Sequence, residues 1–130
     1  ENTDILMSPS IVGMTSVTFR PFAGSSKSLK GAYATLNGKY VGRQYLDNTM
    51  TISRSIPAYF VSNLAVSHTF ELNKGSLGLS FYLNNIFNNM YYADGWCWKN
   101  IVEEDGALVD GIGIYPQAPL NYMLKVSYRF

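Results

Sequence analysis

The most regular pattern in the sequence is a two-residue alternation over residues 120–130. Every second residue there is apolar or aromatic, and the positions between them include the cations Lys125 and Arg129. Because successive side chains of a β-strand point to opposite faces, the pattern predicts a strand with one apolar and one polar face. A half-buried strand of a water-soluble sheet has this pattern, and so does a membrane barrel strand. The aromatic residues near both ends of the apolar face, including Phe130, favour the final strand of a membrane barrel.

Four earlier segments are also predicted to be strands, with less regular alternation in the first two: residues 11–20, 29–45, 57–72 and 76–85. A tight hairpin turn at Asn73-Lys74-Gly75 joins the third and fourth strands, with the glycine supplying a positive φ. Residues 46–56 are interpreted as a loop. Residues 86–115 have no sustained period and are interpreted as a long loop that is functional or mobile.

The connections after the first and third strands are short, and those after the second and fourth are long. This order predicts an all-β, antiparallel meander of about five strands, with the loop asymmetry of outer-membrane barrels. Since five strands cannot close a barrel of eight or more, we expect residues 1–130 to be the C-terminal portion of a larger transmembrane β-barrel. The start at Glu1-Asn2-Thr3, without an initiator Met or a signal peptide, agrees with that expectation.

Composition supports short strands near a membrane interface. Charged residues make up only 15% of the chain, below the usual quarter, while aromatic residues reach 15% and apolar residues 47%. No stretch approaches eighteen consecutive apolar residues, so the sequence predicts no transmembrane helix. A net charge of +1, without basic residues interleaved with aromatic ones, gives no indication of a nucleic-acid partner.

The sequence offers no pattern for catalysis, a cofactor or a metal. His68 and Cys97 are the only residues of their types and stand far apart, so neither a zinc site nor a Cys–His nucleophile pair is predicted. We interpret Cys97 as an incidental thiol and His68 as an interfacial residue of an apolar face. The acidic run at 103–105 is interpreted as a solvated loop face, because calcium loops need alternate spacing. We therefore expect that the protein is not an enzyme.

One segment resembles a known family. The fourth strand and its exit read Leu83-Asn84-Asn85-Ile86-Phe87-Asn88-Asn89-Met90-Tyr91, which is similar to the N-N-L-F-N-x-x-Y segment of TonB-dependent outer-membrane receptors. The order of further segments also resembles this family, in the manner of receptors from Bacteroidetes-type bacteria: Tyr45-Leu46-Asp47-Asn48-Thr49, Ile56-Pro57-Ala58-Tyr59-Phe60, Gly95-Trp96, Tyr115-Pro116-Gln117-Ala118-Pro119 and the aromatic-ended last strand.

The resemblance implies a barrel of about 22 strands in the outer membrane of a Gram-negative bacterium, closed by a plug domain that lies outside this chain. Such receptors bind and import a scarce nutrient, such as siderophore-bound iron, haem or cobalamin, or in some branches glycans or peptides, with energy relayed by TonB through the plug. The implied partners are outer-membrane lipid, the barrel-assembly machinery, TonB and the small-molecule ligand. The residues alone also allow a soluble antiparallel β module for ligand binding or adhesion. In that alternative the apolar residues Leu77, Leu79, Phe81, Leu124 and Val126 pack across a core, whereas in the barrel they form an outer belt.

Four sets of residues are candidates for a role within the receptor. The last strand resembles the signal that the barrel-assembly machinery recognises, carried by Tyr122, Leu124, Val126, Tyr128 and Phe130. Aromatic residues of the long loop are expected to stack on a ligand, to form the outer interfacial girdle or to pack the loop upon itself: Tyr91, Tyr92, Trp96 and Trp98. Asn84, Asn85 and Asn88 are expected to end the fourth strand and shape the loop root, because Asn tolerates left-handed conformations and bonds to neighbouring backbone. Lys125, Arg129 and Arg20 would face the lumen or the plug.

Overall fold

A computed structural model describes residues 5–24, 31–101, 106 and 108–130. Within these residues the chain forms β-strands and one short 3₁₀ turn, Ile52–Arg54, without an α-helix. The strands are β1 (Val12–Phe19), β2 (Tyr33–Val41), β3 (Gln44–Tyr45), β4 (Ser55–Ile56), β5 (Tyr59–Leu72), β6 (Gly75–Asn84), β7 (Tyr92–Ile101), β8 (Leu108–Pro116) and β9 (Asn121–Arg129). Among the described residues, no helix is long and apolar enough to cross a membrane.

Five of the strands form one antiparallel sheet in the order β1-β2-β5-β6-β9. These are the five predicted strands, each paired with its predicted neighbour, so the all-β class and the five-stranded meander are confirmed. For β1, β5, β6 and β9 the observed ends lie within two residues of the predicted ones. The turn between β5 and β6 also forms as predicted, and Gly75 adopts a φ of +140°.

The predicted second strand, residues 29–45, is wrong in its extent. Within the part that the structure describes, β2 ends at Val41, and a separate two-residue strand, β3, follows. At the break, the Gly42 N–H donates to the Ile11 carbonyl oxygen (2.8 Å). A Cβ on Gly42 would lie only 3.2 Å from that oxygen, so glycine permits this close approach of two backbones. The predicted loop 46–56 likewise contains β4, which pairs with β3.

The interpretation of residues 86–115 as an aperiodic loop is also wrong. Most of this segment forms an antiparallel hairpin of β7 and β8, with a register shift between Tyr92 and Asp94. Glycine weakens a strand prediction, and Gly111 and Gly113 interrupt β8. In the folded hairpin these two glycines lie directly opposite Trp98 and Trp96, where each glycine leaves room for an indole ring.

The chain divides into two compact units. The first comprises Glu1–Gly13, Tyr40–Phe60 and Met90–Gln117, and the second comprises Met14–Lys39, Val61–Asn89 and Ala118–Phe130. In the first unit the side chains of Val41, Leu46 and Ile56 are buried, and Ile56 is only 1% exposed. The second unit contains most of the five-stranded sheet and buries few of its apolar side chains.

Candidate functional site

The second unit carries a continuous apolar face on its last three strands. The pairing of β5 with β6 and of β6 with β9 places side chains of the same sheet face next to one another in four cross-strand rows. We call this set the apolar belt: Leu64–Leu83–Tyr122, Val66–Phe81–Leu124, His68–Leu79–Val126 and Phe70–Leu77–Tyr128. Eleven of its twelve members are aliphatic or aromatic. The alternation seen in the sequence therefore becomes a two-dimensional apolar surface.

No second layer covers the β9 edge of the belt among the residues that the structure describes. Leu124 is 65% exposed and Val126 is 60% exposed. Leu77, Leu79, Phe81, Leu124 and Val126 lie side by side on one face of one sheet. The residues of the expected assembly signal belong to this open face or follow it at Phe130, which is fully exposed.

His68 is the one belt residue with a polar ring. Neither of its ring nitrogens has a hydrogen-bond partner in the described part of the chain, and both are buried. Its ring meets that of Phe70 edge to face, with centroids 4.2 Å apart. The structure thus places His68 within the apolar face, as expected from the sequence.

The opposite face of the same three strands is polar. Lys125 lies opposite Ser80, whose hydroxyl accepts a hydrogen bond from Ser67 (3.0 Å). Glu71 and Arg129 both lie opposite Ser76, one from each side. Arg20 follows the end of β1 and is exposed. The charged side chains of β5, β6 and β9 therefore lie on this face, together with the row Ala65–Tyr82–Met123, and none of them lies on the belt.

An asparagine cluster closes the end of β6. Asn85 is 2% exposed and has a φ of +52°. Its Nδ2 donates to the carbonyl oxygens of Asn89 (2.9 Å) and Ala118 (3.2 Å), and its Oδ1 accepts the N–H of Asn89 (3.0 Å). Its own N–H donates to Asn63 Oδ1 (2.9 Å). The predicted role of Asn85 in ending the strand and shaping the loop root is confirmed.

The two other predicted asparagines join β6 to β9. Asn84 Nδ2 donates to Asn121 Oδ1 (2.9 Å), and the two residues are direct partners in the β6–β9 register. Asn88, with a φ of +50°, accepts the N–H of Leu120 through Oδ1 (3.0 Å). Both bonds fix the point at which β9 enters the sheet, so their predicted structural role is confirmed as well.

The four aromatic residues proposed for ligand contact do not form a single surface. Trp96 and Trp98 occupy one face of the β7–β8 hairpin, where they are 50% and 38% exposed. Tyr91 instead packs against Tyr59, with ring centroids 4.6 Å apart. The Tyr92 hydroxyl lies 3.6 Å from the sulfur of Met90. The structure therefore brings together only the two tryptophans.

The other face of the hairpin is held against the segment of β3 and β4. The Cys97 thiol donates to the Leu46 carbonyl oxygen (3.3 Å). A Cβ on Gly95 would lie 3.4 Å from Leu46 Cδ1, which shows how closely this side chain approaches the strand. Cys97 is half-buried and thus contributes to packing.

An ion-pair cluster that the sequence did not suggest holds the same two elements together. Arg54 contacts Asp47 (2.7 Å) and Asp110, and its side chain is 17% exposed. The hydrogen bonds from Thr49 and Arg54 lower the pKa of Asp47, and the bond from Arg54 lowers the pKa of Asp110. The hydrogen bonds to Asp47 and Asp110 raise the pKa of Arg54. Arg54 and Asp110 are 56 residues apart, and no local pattern connects them.

The described residues contain no group of three or more His, Cys, Asp or Glu that could hold a metal ion. The acidic run at 103–105 lies outside the described residues. No protein-family model matches the chain, and no curated protein and no solved structure is significantly similar to it.

Proposed function

We propose that the chain is part of a TonB-dependent receptor of the Gram-negative outer membrane, which binds and imports a scarce nutrient such as siderophore-bound iron, haem or cobalamin. In this proposal the five-stranded sheet supplies wall of a barrel of about 22 strands. The segments of β3–β4 and β7–β8 supply extracellular loops, and β9 is the strand recognised by the barrel-assembly machinery. A plug domain outside this chain would contact TonB.

The observation that carries the proposal is the uncovered apolar belt. In water, a contiguous apolar surface of this kind is a site for association, because monomeric soluble proteins rarely expose large apolar patches. In a barrel wall the hydrocarbon of the bilayer covers the same surface. The polar face, with Lys125 and Arg129, would then line the lumen.

The alternating apolar residues 120–130 continue one position beyond the belt at each end, and their combined length suits a bilayer. The alternating residues 120–130 span about 34 Å along an extended strand. At a tilt of about 45° this length projects to about 24 Å, close to the apolar band of about 25 Å on outer-membrane barrels. Tyr122 and Tyr128 lie near the two ends, where interfacial aromatic residues would lie.

The resemblance of residues 83–91 to the receptor family narrows the proposal from a barrel to a receptor. The asparagines of this segment form the loop root in the structure, and their hydrogen bonds explain why asparagine occurs at these positions. The proposed ligand site lies on the long connections between strands, which would be the extracellular loops of the barrel.

An immunoblot of fractionated source cells, with an antibody against this chain, tests the proposal. Samples are run with and without boiling, beside a known outer-membrane barrel and a known cytoplasmic protein as controls. We expect an outer-membrane band several times larger than 14.5 kDa, with a mobility that changes on boiling. A band in the soluble fraction near 14.5 kDa, unchanged by boiling, would instead indicate a soluble β module for ligand binding or adhesion.

A further inference from the structure

One face of the β7–β8 hairpin carries three aromatic side chains next to one another. Trp96 and Trp98 are two residues apart on β7 and therefore share this face, about 6.8 Å from each other along the strand. Tyr115 of β8 lies on the same face, because its partner across the hairpin, Asp94, precedes Trp96 by two residues. Each of the three aromatic residues is at least 38% exposed. The hairpin therefore presents an aromatic surface to solvent.

The two indoles lie low over the hairpin, because each reaches across to the glycine opposite it on β8. A Cβ on Gly111 would lie only 2.6 Å from Cε2 of Trp98. A Cβ on Gly113 would lie only 2.5 Å from Cε2 of Trp96. The inner side of each indole thus rests on glycine backbone. The outer side, which carries the negative charge density of the π system, is the side left open.

The same face carries one negative charge and, in the part of the chain that the structure describes, no positive charge. Asp94 is exposed and forms no ion pair with a described residue. Its Oδ1 accepts the N–H of Gly95 (2.8 Å), which orients the carboxylate without neutralising it. Lys99 is the one cationic residue in the sequence of the hairpin, and it lies on the opposite face as the partner of Asp110.

The sequence of the whole hairpin is acidic as well. Between Tyr92 and Pro116 the one lysine is outnumbered by five acidic residues: Asp94, Glu103, Glu104, Asp105 and Asp110. An excess of acidic groups raises the local concentration of cations and repels anions. Exposed aromatic rings also attract cations, and indole does so most strongly. Charge and aromatic surface therefore favour the same kind of ligand, an organic cation.

We propose that this face binds a small quaternary ammonium compound without an acidic group of its own, such as choline. The trimethylammonium group rests on the outer side of Trp96, flanked by Tyr115 and by the Asp94 carboxylate. The methyl groups of such a ligand contact aromatic rings directly, whereas the ammonium of a lysine is strongly hydrated. A phosphate on the ligand would be repelled by Asp94, so free choline is favoured over a phosphocholine headgroup.

Choline as the ligand deepens the nutrient-binding role proposed above and rests on that proposal for its biological setting. The test does not depend on membrane location, because the chain contains only two tryptophans and both lie on this face. Indole fluorescence of the 130-residue chain in a polyoxyethylene detergent therefore reports on the aromatic surface. The chain is titrated at constant ionic strength with choline, with phosphocholine and with dimethylbutanol, the uncharged isostere in which carbon replaces the nitrogen of choline.

We expect a saturable change in emission with choline, and about tenfold weaker binding of phosphocholine and of dimethylbutanol. Trp96→Ala should weaken choline binding about tenfold, with Trp98 as the remaining reporter. Tyr115→Leu retains both indoles and should weaken choline binding about fivefold.

Two further variants separate charge from folding. Asp94→Asn keeps an acceptor for the Gly95 N–H but removes the charge. It should weaken choline binding about fivefold and leave the response to dimethylbutanol unchanged. Ile114→Val, on the opposite face of the hairpin, should bind choline as the wild type does. Far-UV circular dichroism checks that each variant folds.

Absence of a saturable response to choline would overturn the inference. So would equal affinity for choline and dimethylbutanol, which would indicate a surface that recognises only apolar groups, or tighter binding of phosphocholine than of choline. Unchanged choline binding by folded Asp94→Asn and Tyr115→Leu would show that choline binds elsewhere. Choline binding by a chain that fractionates as a soluble protein would leave this inference standing and refute the receptor. An outer-membrane band without a choline response would do the reverse.

Discussion

Replacement of Asn85 tests whether one side chain closes the end of β6. Asn85 is 2% exposed, and its carboxamide makes three hydrogen bonds to backbone groups, with Asn89 twice and with Ala118 once. Its backbone also adopts a left-handed conformation, with φ of +52°. Two properties of asparagine are therefore used at one position, and different substitutions remove them separately.

The size of each effect can be worked out from these contacts. A buried hydrogen bond contributes about 1 kcal/mol net, so the loss of three bonds in Asn85→Gly should lower the free energy of unfolding by about 3 kcal/mol. Alanine loses the same bonds and in addition disfavours the left-handed region by about 1 kcal/mol. Asn85→Ala should therefore be destabilised by about 4 kcal/mol.

Asn88→Gly is the matched control. Asn88 has nearly the same φ, +50°, but it is exposed, and Leu120 N–H is its side-chain partner in the cluster. Its replacement by glycine should lower the free energy of unfolding by about 1 kcal/mol or less. The comparison separates burial and number of bonds from backbone conformation.

Urea unfolding followed by far-UV circular dichroism measures these differences, with the dependence on urea concentration expected to be unchanged. Equal stabilities of Asn85→Gly and the wild type would refute the contribution of the hydrogen bonds. Equal stabilities of Asn85→Ala and Asn85→Gly would refute the contribution of the left-handed backbone. Greater sensitivity at Asn88 than at Asn85 would contradict the assignment of Asn85 as the central residue.

Three further predictions concern the belt, the tight turn and the ion pairs. In lipid vesicles, Val126→Lys should lower the free energy of unfolding by about 2–4 kcal/mol and Ser127→Lys by less than about 1 kcal/mol, since only the first places a charge on the belt; equal effects would refute lipid contact. Gly75→Ala should destabilise the chain in urea by about 2–3 kcal/mol, because φ is +140° and a Cβ would collide with backbone, whereas Gly78→Ala should be nearly neutral because Ser127 can rotate away. Arg54→Met should destabilise the first unit, as followed by tryptophan fluorescence. The lowered pKa values of its two carboxylate partners mean that the ion pairs stabilise the folded state fully above the ordinary value of 3.8. This stabilisation is lost as the pH falls through the folded-state values, so a difference between variant and wild type that persists in strong acid would contradict the ion pairs.

The five-stranded sheet was predictable from the sequence because few of its side chains are buried, so each strand needs only a two-residue alternation of apolar and polar residues. With one face apolar and the other polar, alternation in β6 and β9 follows the pleat without interruption, and both strands lie within one residue of their predicted ends. The turn at Gly75 was predictable for a related reason, since its geometry depends on local residues. The asparagine cluster was predictable in type, because Asn is suited to left-handed backbone, but not in its partners.

The hairpin and the ion pairs were not predictable from local pattern. In β8, glycine occupies the positions that face Trp96 and Trp98, so the residues that make the pairing possible are those that weaken the strand signal. Asp110 lies on β8 of this hairpin, so its contact with Arg54 depends on a pairing that the local pattern did not predict. Both errors arise where long-range side-chain contacts outweigh local propensity.

The two ends of the β6–β9 pair are closed in different ways, and the difference determines how freely the connection between the two strands can vary. At the short-turn end, the Tyr128 hydroxyl donates to the Lys74 carbonyl oxygen (2.8 Å), and Gly75 permits the turn. At the other end, Asn84 and Asn88 bind the entry of β9 directly. The register of β9 is therefore fixed at the root of the long connection, residues 85–120, independently of what lies within it. Because the entropy of closing a loop grows only slowly with its length, the connection can change in length and sequence at little loss of stability. An asparagine root of this kind keeps the register of β6 with β9 independent of the sequence of the hairpin between them.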